Sequence, residues 1–240
     1  ALHPFTPYDW FAPFDQALKE VIARQGYDTR SHPQEVARLM EEKGYTKDDE
    51  GFWTDPQGEH IEVGIYVPQW LRAYGPPLTQ QLIDAGFDAS FDTSPGLNSL
   101  VQTGEQAASL GCKGPSGVRG MDPYLMLSIY TSQFFRPTGQ PAPHWSATSR
   151  WQNEEYDRIV AQIAPLEIGD ERLDALFLDA MTIWIEEMPD IFLAQLIIRY
   201  PYNTTRWTNW PDQHDPYGFP HSWQWELLKT LIRLEPRHTP

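Results

Sequence analysis

Ile61-Glu62-Val63-Gly64-Ile65-Tyr66-Val67 places apolar side chains at every second position. That period of two predicts a strand with one buried face. Downstream, Leu78, Leu82 and Ile83 predict a helix that Gly86 stops, and Phe87–Phe91 predicts a second strand. Leu97–Thr103 reads as a short helix and Ala107–Cys112 as a further strand. Strands that alternate with helices in this way argue for an α/β layer structure.

Upstream, residues 1–12 are rich in proline and aromatics and read as irregular. Phe14, Leu18, Val21 and Ile22 fall at helical spacing, and Gly26 ends that helix. A second helix is expected from Ser31 as N-cap, with Pro33 in its first turn, an apolar stripe of Val36, Leu39 and Met40, and a stop at Gly44. A turn then leads to a short strand at Phe52–Thr54 and a proline-containing turn.

Past the strands, the stretch from Gly111 to Asp157 organises the second half. It holds a glycine-rich connection from Gly111 to Gly120, then Asp122 as the N-cap of a helix that Pro123 opens and that runs to about Tyr130. Residues 134–149 form a Pro/Ser/Thr loop. A helix from Asn153 to Pro165 turns Tyr156, Ile159, Val160 and Ile163 inward. The strongest helix, Asp170 to Met188, carries Leu173, Leu176, Phe177, Ala180, Met181 and Trp184, and Pro189 breaks it. Ile191–Ile198 is almost continuously apolar and reads as a buried strand. From Tyr200 an irregular aromatic tail follows, with a short helix near Trp225–Lys229 and a strand near Leu231–Leu234.

The 240 residues carry 33 acids against 18 bases, a formal charge of -15. A nucleic-acid partner would demand a basic face, so that class is set aside. The single cysteine, Cys112, excludes an internal disulfide and a cysteine-rich zinc site. No run of 18 apolar residues would span a bilayer. Ala1-Leu2-His3-Pro4-Phe5-Thr6-Pro7 reads as the interior of a longer chain. Ten Trp, eleven Tyr and eleven Phe are many for this length. Because an indole N–H needs a partner when buried, several of these rings are expected at a binding surface.

Catalytic constellations are hard to find. Glycoside hydrolysis needs two carboxyls about 5–10 Å apart. Glu154-Glu155 and Glu186-Glu187 are neighbours in sequence and so point to different sides of a helix, where solvation explains them. His214 and His221 flank a loop with Asp212 and Asp215, but the spacing fits no common metal-ligand pattern. Cys112 beside Lys113 is a conceivable reactive thiol, yet a lone cysteine at a strand end is more often packing. The Gly114–Gly120 loop lacks the spacings of a phosphate cradle. Asn203-Thr204-Thr205 fits a glycosylation sequon and decides nothing alone. The rings of Trp207, Trp210, Tyr217 and Trp223 either cover a core edge or form a stacking platform for sugar rings.

Val36-Ala37-Arg38-Leu39-Met40-Glu41-Glu42-Lys43-Gly44-Tyr45, then Asp49-Glu50-Gly51-Phe52-Trp53 and Asp55-Pro56-Gln57-Gly58, resembles the family-5 extracellular solute-binding proteins. These are the dipeptide-, oligopeptide- and nickel-type receptors of bacterial ABC importers. Asp122-Pro123-Tyr124, Trp151-x-Asn153-x-Glu155-Tyr156-Asp157 and Glu186-Glu187-x-Pro189 match further stations of the family in the same order. The resemblance covers essentially the whole chain. It implies the C-terminal ligand-binding lobe of a type II periplasmic-binding-protein fold, an α/β lobe with a mixed sheet flanked by helices. Residues 1–200 would form that lobe, and residues 201–240 an aromatic tail that returns to the first lobe.

The resemblance also implies a function without chemistry: capture of a solute between two lobes and delivery to permease subunits. The receptor is expected to be a monomer without cofactor or metal. It would be periplasmic or extracellular, with any lipid anchor on a preceding N-terminal segment. Peptide receptors of the family typically carry Gly-Trp-x-x-Asp, whose acid pairs with the peptide's amino group. Here Cys112 stands for the ring and Pro115 for the acid. A buried ammonium without a counter-charge is costly. The tail, with Trp207-Thr208-Asn209-Trp210-Pro211 and Pro216-Tyr217, looks like the oligosaccharide-binding branch. The expected ligand-binding residues are therefore Cys112, Lys113, Gly114, Arg119, Asp122, Trp207, Trp210 and Tyr217. A peptide receptor using Asp122 or the other lobe for its counter-charge is the alternative. A secreted glycosidase or carbohydrate-binding module is a remote one.

Overall fold

The computed structural model describes residues 12–27, 30, 32–111, 122–143, 145–167, 169–194, 201–212, 215, 217 and 227–237. Two cores lie side by side, one helical and one built on a parallel sheet. The helical core gathers α1 (Ala12–Arg24), α5 (Pro123–Ser128), α6 (Glu154–Ile163) and α7 (Leu173–Glu187). Each contributes one stripe: Phe14, Leu18, Val21 and Ile22 from α1; Tyr156, Ile159, Val160 and Ile163 from α6; Phe177, Ala180, Met181 and Trp184 from α7. Leu18, Met126, Tyr156 and Phe177 have no exposed surface. Each such side chain contributes roughly 1.5–3 kcal/mol by leaving water.

The second core surrounds a sheet of order β4-β3-β5, with β3 at Glu62–Tyr66, β4 at Asp88–Asp92 and β5 at Ala108–Ser109. All its pairings are parallel. Parallel neighbours require a crossover between them. Here α3 (Gly75–Asp84) joins β3 to β4, and α4 (Leu97–Thr103) joins β4 to β5. Ile65, Val67 and Leu71 are buried against Val63, Leu78, Leu82 and Phe91. Gly75 is glycine because a Cβ there would sit 2.6 Å from the Phe91 ring. Antiparallel pairing forms two ribbons, β1 (Thr46–Lys47) with β2 (Trp53–Thr54), and β6 (Trp207–Thr208) with β7 (Glu235–Pro236), and one bridge between Thr54 and His60.

The recurring sequence stations turn out to be fasteners. Trp53 is buried, and its indole N–H donates to the Ala85 carbonyl at 2.9 Å, which docks the β1–β2 ribbon on the end of α3. Asp55 Oδ1 accepts from the backbone N–H groups of Gln57 and Glu59, closing the turn before β3. Asn153 caps α6 by accepting from the Tyr156 N–H, and its amide donates to Glu187 at 2.6 Å. The Trp151 indole donates to the other oxygen of Glu187. The buried Tyr156 hydroxyl donates to the Leu127 carbonyl at 2.8 Å, and Asp157 accepts from the Ser132 N–H.

Two expected strands need correction, and one expected stripe is left uncovered among the described residues. The stripe of Val36, Leu39 and Met40 on α2 (Pro33–Glu42) is not core: the helix has no buried residue, and Leu39 is 43% exposed. Its expected cap, Ser31, lies outside the described residues. Residues 191–194 form no strand, and Ile191 and Leu193 are exposed, while 195–198 lie outside the described residues. Leu231–Leu234 is not a strand either, because α8 runs from Leu227 to Arg233 and β7 follows it. Among the described residues no layer covers Leu39, Ile191, Leu193 or the Leu231 and Ile232 side chains of α8.

Candidate functional site

Parallel strands bring their carboxyl ends to one edge, and ligands of open α/β sheets bind beyond that edge. Beyond β3, Pro68 leads into a 3-10 segment, Gln69–Tyr74. Leu71 is buried and anchors it, and the Gln69 amide donates to Thr93 Oγ1 at 2.9 Å. Trp70 stands 63% exposed on this segment, and Tyr74 is 47% exposed. Beyond β4, the Asp92 carboxylate accepts from the N–H and hydroxyl of Ser94, both at 2.7 Å. Those donors hold Asp92 below the usual carboxylate range. Beyond β5, the Leu110 N–H donates to the Tyr66 carbonyl and carries the chain on toward Gly111.

Cys112, Lys113, Gly114 and Arg119, expected to bind ligand, lie outside the described residues. Asp122 is the N-cap of α5, its carboxylate accepting from the Leu125 N–H at 3.1 Å.

The three expected tail rings share one small module. Trp207 lies on β6 opposite Pro236 and is 41% exposed. Trp210 is stacked on Tyr202, with centroids 4.6 Å apart and planes 9° from parallel. The Tyr217 hydroxyl donates to the Asn209 carbonyl, and the Arg233 guanidinium lies 4.5 Å over its ring. Asn209 in turn donates to the Arg233 carbonyl at 2.7 Å. Trp210 and Tyr217 thus each have a protein partner on the ring. Trp207 has its exposed surface still available.

Three of the paired carboxylates hold other side chains in this arrangement. Glu187 holds Trp151 and Asn153, while Glu186 accepts from Gln25 at 3.1 Å. Glu155 pairs with Arg158, whose hydrogen bond holds it below the usual carboxylate range, the opposite of what a general acid needs. His214 and His221 lie outside the described residues. Among the described residues, no three His, Cys, Asp or Glu side chains gather as a metal site would require. No helix among them is long and apolar enough to cross a membrane. A cleft of about 230 Å³ opens beside α7, between Tyr27, Trp184, Met188 and Phe192.

No protein-family model matches the sequence, and no curated protein matches it. Solved structures do. An oligopeptide ABC-transporter periplasmic binding protein of Thermotoga maritima, solved with mannohexaose bound, matches 99% of this chain at a TM-score of 0.72 and 18% identity. The chain has the fold of an ABC-importer solute-binding protein. A second structure of a Thermotoga maritima periplasmic oligopeptide-binding protein matches 91% at 0.61 and 17% identity. NikZ of Campylobacter jejuni, in complex with Ni(L-His), matches 68% at 0.52 and 13% identity. The chain spans 44%, 41% and 32% of these receptors, so it corresponds to less than half of each. Within this solute-binding fold, Trp70 and Gln69 were not singled out by sequence reading. The available signal was their position directly after the alternating run Ile61–Val67.

Proposed function

We propose that this chain forms one lobe of a solute-capture receptor for an ABC importer and that the ligand is a neutral oligosaccharide. The carrying observation is the likeness along 99% of the chain to a binding protein solved with mannohexaose. The residues agree with it in kind. Pro115 stands where a peptide receptor of the family would carry an acid, and the edge of the sheet presents an aromatic ring, an amide and hydroxyls. Residues 1–200 form the lobe, residues 201–240 return to the other lobe, and ligand is trapped when the two close.

The receptor performs no chemistry. It works outside the cytoplasmic membrane as a monomer and hands its ligand to permease subunits. Cys112, Lys113, Gly114, Arg119 and Asp122 supply polar contacts, and Trp207, Trp210 and Tyr217 line the aromatic side. The test is a melting-temperature series on the full-length receptor with mannohexaose, β-linked glucose oligomers and a mixed pentapeptide. Ligand binding to the native state raises the melting temperature, by about 2.7 kcal/mol of stability at a hundredfold excess over Kd. A shift with sugars is expected. A shift with the pentapeptide only would overturn the proposal.

A further inference from the structure

We infer that Trp70 is the ring on which a sugar unit of the ligand stacks, a specificity-determining contact of the receptor. This rests on the oligosaccharide reading and adds a residue to it. The indole is 63% exposed, which is unusual for the largest apolar side chain, and it is the most exposed tryptophan among the described residues. The exposure is not that of a loose loop. Pro68 starts the segment, the Leu71 N–H donates to the Pro68 carbonyl at 2.8 Å, and Leu71 is buried beneath it. The Gln69 amide bolts the segment to Thr93 beyond the neighbouring strand, at 2.9 Å to the hydroxyl and 3.5 Å to the carbonyl. The backbone is therefore fixed before any ligand arrives, which lowers the ordering cost of binding.

The surroundings suit a neutral ligand. Gln69, Thr93 and Ser94 are uncharged, and the carboxylate of Asp92 is occupied by Ser94. Arg72 is the one charged side chain of the segment. A flat, electron-rich face one residue along from the Gln69 amide, which meets the Thr93 hydroxyl, suits a pyranose, whose C–H face is apolar and whose rim is all hydroxyl. Trp210 and Tyr217 already have ring partners, Tyr202 and Arg233. Trp70 does not draw on either.

The experiment measures mannohexaose binding to the full-length receptor by calorimetry and stopped flow, with Trp70→Ala, Trp70→Phe and Arg72→Gln. Trp70→Ala is expected to weaken binding roughly tenfold, mainly through faster dissociation. Trp70→Phe, which keeps a ring, should recover most of that, and Arg72→Gln should leave affinity within about twofold. The unliganded Trp70→Ala protein should melt within about 2 °C of wild type, as a surface substitution does. If wild type binds mannohexaose and Trp70→Ala binds it equally well, the subsite is wrong and the receptor reading stands. If wild type binds the pentapeptide and no sugar, both fall. A melting point several degrees lower for Trp70→Ala would make the ring structural and overturn the subsite.

Discussion

Arg150 ties the end of α4 to the loop of residues 136–140, and its removal should be among the most damaging single changes at any half-exposed position. Among the described residues it is one of three non-glycines with positive φ, at 52°. Its guanidinium donates to the Gln102 carbonyl at 2.7 Å, at the end of α4, and to the carbonyls of Arg136, Pro137 and Gln140 in the following loop. The loop itself reaches back, with the Gly139 N–H donating to Thr103 and the Ala142 N–H to Gln102, both at 2.8 Å. Gly104 leaves room for the arrangement: a Cβ there would lie 2.1 Å from Arg150 Nε. Two of the four bonds, to Gln102 and Arg136, are part-buried and two are exposed. Water replaces the exposed pair at little cost. Each part-buried charge-assisted bond is worth about 1.5 kcal/mol, so Arg150→Met should cost about 3 kcal/mol.

For a domain of this size that is a fall of roughly 6–12 °C in melting temperature. Arg150→Lys keeps the charge but not the planar fork, and should recover less than about half of the loss. Calorimetry of the three proteins checks this, with hydrogen exchange of Gly139 and Ala142 reporting the loop. A melting point for Arg150→Met within about 2 °C of wild type would refute the reasoning.

Gly75→Ala should destabilise by about 1–3 kcal/mol through overpacking against Phe91, and Phe91→Leu in the same chain should return part of it, both measurable by urea unfolding. Tyr156→Phe removes the hydroxyl bond to the buried Leu127 carbonyl, which keeps the Tyr130 N–H, and should cost about 0.5–1.5 kcal/mol on the same assay. His60 is gripped by Asp48 at 2.7 Å and approached by Asp88 at 3.5 Å; the Asp48 hydrogen bond raises its pKa and lowers that of Asp48. The raised His60 stabilises fully below its unfolded value of about 6.5 and fades as pH rises through its folded value; the lowered Asp48 stabilises above about 3.9 and fades as pH falls. The melting temperature of wild type minus that of His60→Ala should therefore be largest between about pH 4 and 6.5 and shrink toward alkaline pH, and a flat difference would rule out this pairing.

Sequence alone determined the elements whose signal is local. The stripes of α1, α6 and α7 were legible because a helix that buries one face must repeat near 3.6 residues. Asp122 and Asn153 were legible as boundary residues because an N-cap serves the next turn of its own chain. Tertiary structure decided whether an apolar face is covered. Val36, Leu39 and Met40 have the pattern of a core stripe without the core, since a period says nothing about what lies opposite. It decided that Trp151, Asn153 and Glu187, 36 residues apart at the extremes, form one fastener. It also decided the site. Gln69 and Thr93 meet at one sheet edge only because β3 and β4 run parallel, and strand direction is fixed by the crossover through α3, which no local pattern encodes.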